Sequence, residues 1–204
     1  MVVAMSLSGY VDKCNLISVD DTADVSGCVF NVRGKNNKVF FGPGCVMKSS
    51  RIEILSDNNA IYISENCNIS ANVIMKLSDG NELFIGKNTS CGGANIICGE
   101  STSIKIGEDC MLAWGIEIRS TDSHGIYDKI TAERVNKAEN IEIKDHVWVG
   151  AQVVILSGAH INQGSVVGIR SVVSKYFPEE AAVLVGVPAR VVRLGVTWER
   201  QLLG

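Results

Sequence analysis

Three histidines, at positions 124, 146 and 160, carry the clearest potential chemistry in this sequence. A neutral imidazole near pH 7 can take a proton from a hydroxyl or an amine. Such a group works best in a loop held by a rigid scaffold. His124 fits that description, because the segment 119–140 around it departs from the pattern that governs the rest of the chain. His146 falls in the turn of a repeat, and His160 immediately precedes an inward-facing Ile161, so both suit solvated or interface positions. No H-x-x-H or H-x-x-x-H spacing links the three, and the seven cysteines (14, 28, 45, 67, 91, 98 and 110) form no CxxC. No metal site is expected from such spacing. The odd cysteine count and the want of a signal-peptide pattern point to free thiols in a reducing, cytoplasmic setting.

The elements that would position His124 are read from internal repeats. One apolar residue followed by a turn-like triplet recurs as Val19-Asp-Asp-Thr-Ala23, Phe41-Gly-Pro-Gly-Cys45, Ile63-Ser-Glu-Asn-Cys67, Ile85-Gly-Lys-Asn-Thr89 and Ile106-Gly-Glu-Asp-Cys110. The leading residues are 22, 22, 22 and 21 positions apart. A second corner keeps phase with the first: Gly34-Lys-Asn-Asn37, Ser56-Asp-Asn-Asn59 and Ser78-Asp-Gly-Asn81. Further on, Ile143, Val149, Ile155, Ile161, Val167 and Val173 keep a six-residue beat, echoed by Val147, Val153, Ala159, Ser165 and Ser171. Neither a helix nor a simple alternating strand has that period. A short flat strand plus a corner does, and three such units close a triangular coil of about 18 residues.

The expected architecture is therefore all-β: a parallel β-helix over residues 17–175, with a loop excursion at 119–140, an N-terminal cap at 1–16 and a C-terminal cap at 176–204. Stacked coils repeat each inward position, so like side chains form ladders. Cys45, Cys67 and Cys110 then belong to a ladder of small residues, and Asn, Asp and Gly mark tight corners. A short helix is predicted near 197–203 within the C-terminal cap. Composition agrees with one such domain: 204 residues, 46% hydrophobic, 6% aromatic, 20 glycines and only three prolines. The net charge of −3 offers no general attraction to nucleic acid or anionic lipid, and no apolar run approaches 20 residues, so no membrane span is expected.

Three segments in order, Ile141-Glu-Ile-Lys-Asp-His-Val-Trp-Val-Gly150, Ser165-Val-Val-Gly-Ile-Arg-Ser-Val-Val-Ser-Lys175 and Gly186-Val-Pro-Ala-Arg-Val-Val-Arg193, resemble the hexapeptide-repeat acetyltransferases. The likeness extends over about 17–195. Within that family, Thr121-Asp-Ser-His-Gly-Ile-Tyr-Asp128 resembles the O-acetyltransferases of capsule and lipopolysaccharide, including those acting on sialic acid polymers. The resemblance implies a left-handed coil, a homotrimer with active sites between subunits, and acetyl-CoA as co-substrate. It implies His124 as the general base acting on a sugar or polysaccharide hydroxyl. It also implies Trp148 as a wall of the acetyl-CoA channel, although an aromatic on a flat face could equally pack between subunits.

Asn95, 29 residues before His124, matches a substrate-contacting asparagine in sugar acetyltransferases, yet it also reads as a plain corner residue. By the same analogy Ala151, Ile169, Ser174 and Lys175 would contact CoA, and Arg190 and Arg193 would reach its phosphates or serve as ordinary surface charge. Ile169-Arg170 replaces the family's usual Ala-Gly pair. Asp122 is close enough in sequence to orient His124, though a backbone carbonyl would do equally well, and Arg134 and Asn136 are candidates to face the acceptor or ordinary solvated loop residues. Two other readings keep the coil. One is an acetyltransferase for a small acceptor (an amino sugar, an antibiotic or serine). The other is a non-catalytic scaffold or a carbonic-anhydrase-like protein, which the histidine spacing disfavours.

Overall fold

The computed structural model describes residues 8–202. They form a parallel β-helix of about eight coils, with no helix among the described residues. Most coils contribute a strand to each of three faces. The first face stacks Leu16–Val19, Lys38–Phe41, Ala60–Ile63, Glu82–Ile85, Ser103–Ile106, Ile141–Ile143, His160–Ile161 and Tyr176–Phe177 in chain order. The second runs through Val46–Met47, Met111–Leu112, Trp148–Val149, Val166–Val167 and Val183–Gly186. The third runs from Ser8–Val11 and Cys28–Val32 through Ser50–Ile54 to Ile116–Arg119, Val154–Ile155 and Val172–Val173. Two long strands, Asn68–Lys76 and Ser90–Gly99, bend through the corner between the second and third faces and so belong to both. In Ser90–Gly99 that bend is taken up by a register shift between Cys91 and Ala94.

The inward ladders are as the repeats predict. Phe41, Ile63, Ile85 and Ile106 are buried, as are Ile143, Val149, Ile155, Ile161, Val167 and Val173. Ala23, Cys45, Cys67, Thr89 and Cys110 line one inner corner, all buried. Their chemistry explains why the position is more than a small-residue gap. Cys45 Sγ donates to the carbonyl of Ser64, Cys67 Sγ to Gly86, Thr89 Oγ1 to Gly107 and Cys110 Sγ to Lys144. Each thiol or hydroxyl thus satisfies a carbonyl of the next coil that the turn leaves without a backbone partner. Burial pushes the Cys110 thiol up to about 11 and Cys28 to about 12, as expected of packing cysteines rather than reactive ones.

The corner between the third and first faces carries a second, polar ladder. Asn37, Asn59 and Asn81 are buried. Asn59 Nδ2 donates to Asn37 Oδ1 at 2.9 Å, and Asn81 Nδ2 to Asn59 Oδ1 at 2.8 Å. The same two oxygens also accept the backbone N–H groups of Asn59 and Asn81. Of the remaining amide protons, those of Asn37 go to the carbonyls of Arg33 and, one coil on, Ser56, that of Asn59 to Ser56 Oγ and that of Asn81 to the Ser78 carbonyl. Left-handed backbone at Asn36 and Asn58 (φ 58° and 57°) lets the chain turn inside this ladder.

The ends differ from a simple stack. Ser8–Val11 pairs in parallel with Cys28–Val32 as a further rung, while residues 1–7 lie outside the described residues. At the other end Ala189–Arg193 folds back antiparallel on Val183–Gly186, and buried Ala182, Leu184 and Ala189 close the core. The helix expected near 197–203 is not formed over 197–202, and residue 203 lies outside the described residues. The segment is irregular because its polar groups bond to earlier corners rather than to its own backbone: Trp198 Nε1 and Arg200 donate to the carbonyls of His146 and Cys110, and the Trp198 carbonyl lies against His146 Nε2.

Replacing Asn59 by Ala should expose how much the amide ladder contributes. It strands the buried backbone N–H of Asn81 and one proton of the Asn81 side-chain amide, so a loss of about 2–4 kcal/mol is expected in chemical denaturation. A loss below about 0.5 kcal/mol would mean that the ladder merely fills space.

Candidate active site

The excursion leaves the prism where the amide ladder stops. Thr102 takes the asparagine position at this corner, with its Oγ1 donating to Ser120 Oγ at 2.6 Å and Ser120 Oγ accepting from the Gly99 N–H. The loop then closes with Asn140, whose Oδ1 accepts from the Ser103 N–H at 2.8 Å. Between these points the chain makes a small hairpin of its own. Tyr127 and Arg134 form an antiparallel bridge, Asp128 N–H donates to the Glu133 carbonyl, and Val135 N–H donates to the Ile126 carbonyl.

His124 sits near the start of this hairpin with its side chain exposed. Its backbone is braced from two sides. Asn136 Nδ2 donates to the His124 carbonyl and to Asp122 Oδ2, both at 2.8 Å, while its Oδ1 accepts from the Ile126 N–H at 2.6 Å. From the previous coil, Glu100 accepts from Thr121 Oγ1 at 2.5 Å, and Thr121 Oγ1 in turn accepts from the Ser123 N–H. Glu100 also forms a two-pronged ion pair with Arg134. Hydrogen bonds from Arg134, then from Thr121, hold the Glu100 carboxyl below the usual carboxylate range.

Arg134 and Asn136 therefore turn toward the loop's own frame, and the Asp122 carboxylate faces the Asn136 amide. Glu100 was not singled out in the sequence. Its sequence signal is faint, an acidic residue in the Gly99-Glu-Ser101 corner, which the structure places one coil below the excursion in left-handed backbone (φ 61°).

The other residues lie elsewhere on the prism. Trp148 projects from the second face, partly exposed, in register with Met111 below and Val166 above. Ala151 and Ile169 occupy successive turns of the corner between the second and third faces. There the Arg170 N–H donates to the Ala151 carbonyl and Arg170 Nε to Gln152 Oε1. Ser174 and Lys175 lie at the next corner, directly after Val172–Val173, with the Lys175 ammonium 5.1 Å from the Phe177 ring centroid. Arg190 and Arg193 lie on the terminal hairpin, facing Val185 and Val183. Asn95 faces outward from the third face, accepts from Asn72 Nδ2 at 3.2 Å, and lines a shallow groove with Ser49, Ser70, Gly93 and Gly115. The fold thus brings together His124, Asp122 and Arg134. It spreads the expected CoA residues around the corners and faces of the C-terminal coils, away from Asn95.

No family model matches the chain. Among individual proteins, it is 35% identical over 188 residues to a polysialic acid O-acetyltransferase of Neisseria meningitidis, covering 92% of this chain and 87% of the relative. The chain belongs to the polysialic acid O-acetyltransferase family. Solved structures agree. The polysialic acid O-acetyltransferase OatWY superposes with a TM-score of 0.82 at 32% identity, covering 98% of this chain and 90% of that one. The polySia-specific acetyltransferase NeuO gives 0.80 at 28%, covering 95% and 90%. The protein is accordingly an O-acetyltransferase built on a left-handed parallel β-helix, as its repeats and motifs predict.

The Glu100–Arg134 pair generates a test of the loop frame. Arg134→Ala should speed proteolytic cleavage within 120–140 severalfold while changing global stability by less than about 1 kcal/mol. Because the Glu100 carboxyl is depressed in the folded state, its contribution is present above the unfolded value of about 4.3 and is lost as pH falls through the lower folded value. Cleavage of the wild-type loop should therefore accelerate in acid, below about pH 4.3, and the Glu100→Gln variant should show little of that acid dependence.

Proposed function

We propose that this enzyme transfers acetyl from acetyl-CoA to a hydroxyl of polysialic acid or a closely related acidic capsule polymer, with His124 as general base. The observation that carries this reading is the braced, outward presentation of His124 on a long irregular loop of a rigid prism, in a chain whose relatives are polysialic acid O-acetyltransferases. A sugar hydroxyl is a poor nucleophile until its proton is taken. His124 would accept that proton as the oxygen attacks the thioester carbonyl. The tetrahedral oxyanion then collapses, the C–S bond breaks, and the CoA thiolate leaves and takes up the proton from the imidazolium. Oxygen gains the acetyl group, sulfur gains the proton, and the base is restored.

Trp148 is assigned to the wall of the acetyl-CoA channel, with Ala151, Ile169, Ser174 and Lys175 along the pantetheine and Arg190 and Arg193 toward the phosphates. Arginine forks suit phosphate oxygens and a flat indole suits a narrow slot. Asn95 is assigned to a hydroxyl of the acceptor. His124 and Trp148 project from different parts of one prism, an arrangement that favours a homotrimer in which the loop of one subunit meets the second face of its neighbour. The reaction belongs in the cytoplasm, where acetyl-CoA is made. No described helix is long and apolar enough to cross a membrane.

Thiol release from acetyl-CoA in the presence of polysialic acid tests the reading. His124→Ala should lower kcat by about 10²–10⁴-fold and leave the KM for acetyl-CoA within a few-fold of wild type. Release that survives the substitution would remove His124 from the chemistry. Release that needs a small amine and ignores the polymer would move the acceptor to amino sugars or related compounds.

A further inference from the structure

The tail beyond the terminal hairpin does more than close the end of the core. The Val196 N–H donates to the Ala181 carbonyl, and from there the chain runs back along the corner between the first and second faces. Trp198 is buried there, its ring stacked on His146 with centroids 4.3 Å apart and planes 10° from parallel. Trp198 Nε1 donates to the His146 carbonyl at 2.9 Å, and the Trp198 carbonyl lies 3.2 Å from His146 Nε2. His146 Nδ1 is 2.8 Å from Asp109 Oδ2.

Arg200 ties the strap to coils still further back. Its guanidinium donates to Asp109 Oδ1, to Ser90 Oγ, and to the carbonyls of Asn88 and Cys110, at 2.8–3.1 Å. Burial opposes ionisation of Asp109, and the hydrogen bonds from His146 and Arg200 outweigh it, leaving this carboxyl below its ordinary range. A surface tail with no task is seldom held at so many points.

What the strap reaches is Trp148. That residue lies two positions after His146 on a strand only two residues long, and it is 39% exposed. Its indole meets Trp198 with ring centroids 6.3 Å apart and planes 48° apart, the one aromatic contact of Trp148 among the described residues. Met111 and Val166, its neighbours in register, flank it along the face. An indole so placed can change its side-chain rotamer unless its exposed side is blocked.

We infer that Trp198, clamped by His146 and Arg200, is a positioning residue that holds the Trp148 indole in a single orientation for acyl-CoA. The inference rests on the assignment of Trp148 to the acetyl-CoA channel. It gives the C-terminal strap a part in cofactor-substrate binding, since a side chain already held in place loses less entropy when the ligand arrives.

The full-length enzyme and its Trp148→Ala, Trp198→Ala, Trp198→Phe and Arg200→Ala variants would be compared by calorimetric CoA binding and by steady-state kinetics with polysialic acid. Trp198→Ala and Arg200→Ala should each raise the Kd for CoA and the KM for acetyl-CoA about five- to tenfold, with kcat changed less than about twofold. Trp198→Phe should recover most of that loss, and Arg200→Ala keeps the question open to measurement if Trp198→Ala does not fold. Wild-type CoA affinity in both strap variants, with weakened binding in Trp148→Ala, would overturn the positioning role and leave the channel assignment standing. Unchanged binding in Trp148→Ala would overturn the channel assignment itself, and the inference with it.

Discussion

Each coil of this protein depends on the corner beneath it. A parallel coil cannot close its turns alone, because the backbone groups at a corner point along the axis, toward the next coil. Where those groups are buried, a side chain must meet them. The Asn37–Asn59–Asn81 ladder does so at one corner, each carboxamide accepting a backbone N–H one coil on, while Asn59 and Asn81 also donate to the asparagine before them. The Cys45–Cys67–Thr89–Cys110 ladder does so at another, each side chain donating to a carbonyl one coil on. Such networks specify register sharply, since a slip by one residue would orphan every member at once.

The same constraint explains where the long loop grows. The amide ladder ends at Asn81, whose Oδ1 accepts the Ser101 N–H, and it resumes in kind only at Asn140, which accepts the Ser103 N–H. Between them the hydroxyls of Thr102 and Ser120 seal the corner from inside. The corner can therefore open into a long excursion while the buried hydroxyls of Thr102 and Ser120 stay paired. A loop of this length would be loose if left to itself. It is pinned by Glu100 on the rigid coil below and by Asn136 across its own neck, so that the backbone of His124 inherits the order of the prism.

The strap supplies a different kind of connection. Stacked coils touch only their neighbours, so a solenoid passes little information along its length. A tail that binds the coils of His146, Asp109 and Asn88 crosses that limit. It couples the segment after the terminal hairpin to the middle of the prism, beside Trp148.

Sequence by itself determined the elements that every coil shares: the inward Ile and Val ladders, the small Cys and Thr ladder, the Asn-bearing corners, the place of the excursion, and the motifs that mark the acetyltransferases. These were legible because a stacked fold writes the same requirement at each repeat, and repetition separates it from chance. His124 was legible as the histidine at the break in that repetition. Only the tertiary structure decided the rest. Glu100 meets Arg134 across 34 residues, Trp198 meets His146 across 52, and Arg200 meets Asp109 and Asn88 across 91 and 112. Each contact occurs once, at a separation that no period predicts. The tail read locally as helical became an extended strap because corners far back in the chain offered its polar groups better partners than its own backbone could.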